Sequence, residues 1–187
     1  MSQTKVAVGM VDATGTPGSG NFLRGDSSWN TPDAGGFTIA AEQSTGSGTS
    51  VTFGSIPTGT KMIVIMIEGV SLTGATNIDV TIGDSGGLET SGYISGSTTH
   101  VSSASAISVS TAEFIMKGND TSNVMHGTMT LTLKDASNFT WTESHLGHLR
   151  SDTTIVGGGT KSLSAELTQV SVTGGTFDAG SISIMYQ

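Results

Sequence analysis

The sequence predicts an all-β protein, a two-sheet antiparallel β-sandwich of jelly-roll-like type. Three observations lead there. First, six apolar residues stand in a row from Met62 to Ile67, with Pro57, Gly59 and Thr60 before them and Gly69 after. Such a run between turn residues reads as a strand with protein on both faces, and it is far shorter than the ~20 residues that cross a bilayer. Second, apolar and polar residues alternate with period two. In MHGTMTLTLKD, Met129, Leu131 and Leu133 fall on one side and Thr128, Thr130 and Thr132 on the other. Third, the chain has 27 Gly, much Ser and Thr, and only 12% charged residues. Few Lys, Glu or Ala and many small hydroxyl residues favour strands and tight turns over helices.

In order, TKVAVGMV places Val6, Val8 and Met10 on one face of a short candidate strand. The next stretch, to Gly36, is rich in Gly, Pro, Ser and Asn, with Phe22, Leu23 and Trp29 as its large apolar residues. No helix or strand period survives in it, and so long a loop is uncommon inside a compact domain. Residues 1–36 are therefore expected to form an extended N-terminal arm, and residues 37–187 the sandwich domain. Thirty-six extended residues reach at most ~120 Å.

From Phe37 the expected strands follow steadily. FTIAA and SVTF precede the central run, and NIDVTIGD follows it with Ile78, Val80 and Ile82 inward. LETSGYIS reads as a weaker strand, and AISVSTAEFIM contributes Ile107, Val109, Phe114 and Met116. NFTWTESHLGHL brings Phe139 and Trp141 together, and VGGGTKS reads as a turn. In SLSAELTQVSVTG the apolar phase slips by one residue, which predicts a bulge near Thr168 and Gln169. SISIMYQ closes the chain with Ile182, Ile184 and Tyr186. About ten strands at short spacing is the pattern of a sandwich or jelly roll.

Charge and composition exclude several functions. The net charge is −8 and the seven Lys and Arg are scattered, so no basic patch exists to neutralise nucleic-acid phosphates. With no cysteine there is neither a disulfide framework nor thiolate chemistry. MSQTKVAVGM lacks the ~7–15-residue apolar core of a signal peptide, so export by that route is not expected. No segment predicts membrane insertion.

No catalytic, cofactor or metal constellation emerges. His145 and His148 are three apart, which on a strand sends them to opposite faces, and His100 and His126 are isolated. No D-x-D-x-D-G loop is present, and Asp84, Asp120 and Asp135 sit where turns need them. GDSGG at 83–87 matches the nucleophile loop of chymotrypsin-like proteases, but no His precedes Ser85. VGGGTK lacks P-loop spacing. Glu68, Glu89, Glu113 and Asp79 could in principle pair as glycosidase carboxylates, but at 5% aromatics little sugar-stacking surface is available.

One resemblance adds to this reading. Ala13-Thr14-Gly15-Thr16-Pro17, then Phe22-Leu23-Arg24-Gly25-Asp26, then Trp29 resemble the ATGTP…FLRGD-x-x-W segment of bacteriophage tail-fibre and other virion appendage proteins. IPTGTKMIVIMIEGVS, IGDSGGLETSGY, HGTMTLTL and TFDAGSISIMYQ resemble the small β-sandwich that follows it in such proteins. The resemblance covers nearly the whole chain. It departs in length, since a tail fibre carries a long shaft where twelve residues stand here. It implies a non-enzymatic virion protein without cofactor, a homotrimer whose arm attaches it to other virion proteins of tail or capsid. Phe22, Leu23, Arg24, Gly25, Asp26 and Trp29 are the implied assembly and attachment residues. The implied roles are a short tail fibre or fibre-tip adhesin facing a host-surface glycan or protein, or a capsid decoration or head-fibre protein.

Overall fold

The computed structural model describes residues 14, 19–23, 25, 27–30, 35–74, 77–118, 124–149 and 152–187. The chain divides into two compact units, Met1–Gly36 and Phe37–Gln187. Among the described residues there is no helix, and the strand pairing is antiparallel throughout both large sheets.

The first unit contains a small hairpin of β1 (Phe22–Leu23) and β2 (Trp29–Asn30), with Leu23 opposite Trp29 and Phe22 opposite Asn30. Ser27 takes a positive φ of 62° just before β2. Thr14 lies beside Ser28: the Thr14 amide donates to the Ser27 carbonyl, and the Trp29 amide donates to the Thr14 carbonyl, both at 2.9 Å. Where the sequence shows no strand period, local bonds pair two short strands and hold Thr14 against the second of them. The candidate strand over residues 4–11 lies outside the described residues.

The second unit carries the remaining strands. They are β3 (Thr38–Ile39), β4 (Gln43–Ser44), β5 (Ser50–Phe53), β6 (Met62–Leu72), β7 (Ile78–Asp84), β8 (Gly87–Leu88) and β9 (Ile94–Val101). After them come β10 (Ala104–Ser110), β11 (Phe114–Met116), β12 (Val124–Asp135), β13 (Thr140–Leu149), β14 (Thr153–Ser162), β15 (Gln169–Thr173) and β16 (Phe177–Tyr186). The larger sheet runs β10-β9-β14-β13-β12-β6-β16-β3, with β4 also on β16; the smaller runs β11-β7-β15-β5, with β8 on β7. Eight strands in sequence, β3, β5, β6, β7, β11, β12, β15 and β16, make two four-stranded sets, β3-β16-β6-β12 and β5-β15-β7-β11. That is the strand order of an eight-stranded jelly roll. Two insertions, β9-β10 and β13-β14, extend the larger sheet beyond β12.

The apolar run of β6 is central, between β12 and β16. Ile63, Ile65 and Ile67 point into the sandwich and are buried, as is Val64 on the other face, while Met62 and Met66 are half-buried. One core joins both sheets: Ile65, Met129, Leu131, Trp141 and Ile184 from the larger, Val80, Ile82, Phe114, Val170 and Val172 from the smaller. Tyr93 meets Phe114 edge to face at 4.9 Å between ring centroids, a favoured aromatic geometry.

Several local expectations are corrected. VGGGTKS is the interior of β14, not a turn. Side chains at Gly157 and Gly159 would collide with the neighbouring strands, so these glycines allow close packing inside the sheet. The phase slip near Thr168 is a strand boundary: β15 starts at Gln169 with regular register, and residues 163–168 form a connection that buries Leu163 and Leu167. AISVSTAEFIM splits between the sheets. Its first half is β10, with Ile107 and Val109 outward, and its second half is β11. LETSGYIS forms only the end of β8 and the start of β9.

Candidate functional site

β9 brings three hydroxyl side chains, Ser95, Ser97 and Thr99, to the buried side of the larger sheet. Two of them serve β11 of the other sheet. Ser95 Oγ accepts from the Ile115 amide at 3.0 Å, and Ser97 Oγ accepts from the Lys117 amide at 2.9 Å. β11 is an edge strand with β7 on its other side, so Ser95 satisfies a buried amide that would otherwise be orphaned, and Ser97 a half-buried one just past the strand.

Ser97 continues into a buried network. Its Oγ lies 2.8 Å from His145 Nε2, and His145 Nδ1 lies 2.6 Å from Glu143 Oε1. With Nδ1–H donating to the carboxylate, Nε2 accepts from the Ser97 hydroxyl. Glu143, His145 and Ser97 thus stand in the order of a nucleophilic triad. Ser97 is only 1% exposed, so no substrate reaches its Oγ without opening the sandwich. Gly157, opposite His145 on β14, provides the room: a Cβ there would sit 2.5 Å from His145 Nε2. Among the described residues, Glu143 Oε2 and Trp141 Nε1 are buried without a hydrogen-bond partner. The network ties β9, β13 and β11 together, and its chemistry is that of a buried polar brace.

The other histidines lie on the opposite, exposed face. His126 pairs with His148, His148 with Thr154, and Thr154 with His100, one row across four strands. His126, His148 and Thr154, with Leu146 and Thr128, line an open depression of about 460 Å³. His126 Nδ1 accepts from the Gly69 amide at 3.2 Å. That bond leaves the proton of the neutral ring on Nε2, which makes this nitrogen a donor and not a metal ligand. No group of three or more His, Cys, Asp or Glu able to hold a metal occurs among the described residues. His145 and His148, three apart in sequence, are buried and exposed respectively.

The GDSGG segment is the β7–β8 turn. Asp84 accepts from the Gly86 amide at 2.7 Å and from the Ser164 hydroxyl at 2.6 Å. The Ser164 hydroxyl, with the Gly86 amide next, holds the Asp84 carboxyl below the usual carboxylate range. These bonds give the aspartate a turn role. Asp79 on β7 behaves oppositely: burial, then the nearby negative charge of Glu113, pushes its pKa up to about 6. Lys161 reaches both Glu89 and the Tyr93 ring, 5.4 Å from its centroid.

Of the residues singled out for attachment, Phe22 and Leu23 form β1 and remain 44% and 42% exposed. Trp29 is half-buried in β2, and Gly25 is exposed between the two strands. Arg24 and Asp26 lie outside the described residues. The hairpin brings Leu23 and Trp29 together and keeps Phe22 open to solvent. Sequence reasoning missed the Ser97–His145–Glu143 network, because Ser97 sits in a stretch without apolar period. No protein-family model, curated protein or solved structure matches the chain.

Proposed function

We propose that the chain is a non-enzymatic structural protein of a bacteriophage virion. In this reading it is a homotrimeric short tail fibre or fibre-tip adhesin that presents loops of its sandwich to a host-surface glycan or protein. The observation that supports it most is the Phe22–Asn30 hairpin. It belongs to a compact unit of its own and leaves Phe22 and Leu23 more than two-fifths exposed. Burying a large apolar side chain stabilises by ~1.5–3 kcal/mol, so such a pair is suited to docking on another protein. Ordering the segment costs ~1–2 kcal/mol per fixed backbone residue, which leaves each hairpin a modest net grip. Linked copies offset that cost through effective concentration. The phage context comes from the resemblance of the ATGTP…FLRGD-x-x-W segment.

The same hairpin suits a second reading, a capsid decoration or head-fibre protein that grips the capsid. A density map of particles carrying the protein separates the two. Few copies at the tail tip fit the adhesin, and many copies over the capsid fit the decoration protein. Absence of the protein from purified particles sinks both.

A further inference from the structure

The larger sheet ends on β10, which among the described residues pairs only with β9. A free strand edge is a template for another chain, and proteins usually blunt it with short strands, Lys, Pro or side-chain caps. The other edges here are blunted. The far edge of the larger sheet consists of the two-residue strands β3 and β4, Ser95 and Ser97 cap β11, and Gln43 Nε2 donates to the Thr52 carbonyl of β5 at 3.0 Å. β10 reads ASAISVS, seven residues with no charge and no proline.

The outer face beside this edge is also unusual. β10, β9, β14, β13 and β12 align their outward residues in four rows. Ile94, Ile107 and Val109 are 71%, 70% and 75% exposed, with Leu146 and Val156 exposed beside them. The remaining positions are Ser, Thr, Gly and His, and no residue in the four rows is Asp, Glu, Lys or Arg. Strands ~4.8 Å apart and ~3.4 Å rise per residue make this face roughly 24 by 27 Å, on the order of 600 Å². A standard interface takes ~800 Å² from each partner, so this uncharged face has the size to supply most of one.

We propose that this face and the β10 edge are where a second copy of the chain packs. The charge pattern selects that occupant. In a chain of net charge −8, two copies repel wherever carboxylates meet, and this face brings none together. A basic partner would find no acidic complement here. The inference rests on the homo-oligomer part of the proposed function and is independent of the virion part.

The test is the solution mass of the full chain, wild type against Ile107→Lys with Val109→Lys, by sedimentation or light scattering across a wide concentration range. Both positions are mostly exposed, so the variant keeps its far-ultraviolet spectrum; Ile94→Lys is the second variant should the double one misfold. The expected result is an oligomeric wild type and variants reduced to the 18.9 kDa monomer. Variants that stay oligomeric while folded overturn the surface assignment and leave the oligomer reading standing. So does an oligomer that dissociates only when residues 1–36 are deleted. A monomeric wild type overturns both.

Discussion

Gly157 and His145 face each other across β14 and β13, and the imidazole of one fills the space a side chain on the other would need. The Gly96 carbonyl presses on the same point from β9. Gly157→Ala should therefore destabilise the sandwich by about 1–3 kcal/mol, the usual cost of overpacking a close-packed interior. Gly54→Ala is the control: a Cβ there meets nothing within 4 Å, and the substitution should leave the urea midpoint almost unchanged. Equal loss in both variants would argue against the packing role of Gly157.

Ser97 serves two partners at once, the Lys117 amide and His145 Nε2. Ser97→Ala leaves the buried His145 nitrogen and the half-buried Lys117 amide unmatched, at ~1–3 kcal/mol for such a loss. Denaturant unfolding reads the difference. Wild-type stability in the variant would mean that the link between the sheets is supplied elsewhere.

Asp79 sets a pH dependence. Its folded pKa of about 6 lies above the ordinary value of 3.8, so the folded protein holds this proton more tightly than the unfolded chain. The stability it contributes is fully present below pH 3.8 and is lost as pH rises through about 6. Asp79→Asn removes that loss. The variant should melt higher than wild type at pH 7–8, and the gap should close toward pH 4. A variant less stable at pH 8 would show that the carboxylate is favourably paired there.

Ile65 lies fully buried in the central strand, opposite Met129 on one side and Ile184 on the other. An unpaired Asp in its place costs several kcal/mol against a total of ~5–15. Ile65→Asp should give insoluble or unfolded protein, and near-native melting would refute the central role of β6.

The large apolar strands were readable because their side chains announce a buried face. β6, β7 and β12 follow from Ile65, Val80 and Leu131 by period and run alone. β9 was not readable: its inward residues are Ser95, Ser97 and Thr99, whose worth appears only when the β11 amides and His145 arrive from elsewhere in the chain. The glycines of β14 misled for a related reason. Gly157 reads as turn chemistry until His145 stands opposite it. The outward direction of Ile107 was hidden too, because alternation gives two faces without saying which one meets the core. In the proposed attachment segment, composition picked out Phe22, Leu23 and Trp29, but not the pairing that makes them a hairpin or the Thr14 bonds beside it.

The central claim is that this hairpin attaches the protein to a virion, and it is tested most directly by incorporation into assembling phage. Full-length protein, a form lacking residues 1–36, and Phe22→Ala with Trp29→Ala are each supplied during assembly, and the purified particles are assayed for bound protein. Melting of each form is measured in parallel. The account predicts that the truncated protein melts cooperatively yet is missing from particles, and that the double variant is depleted from them while its sandwich melts as wild type does. Normal incorporation of the folded truncated protein would contradict it.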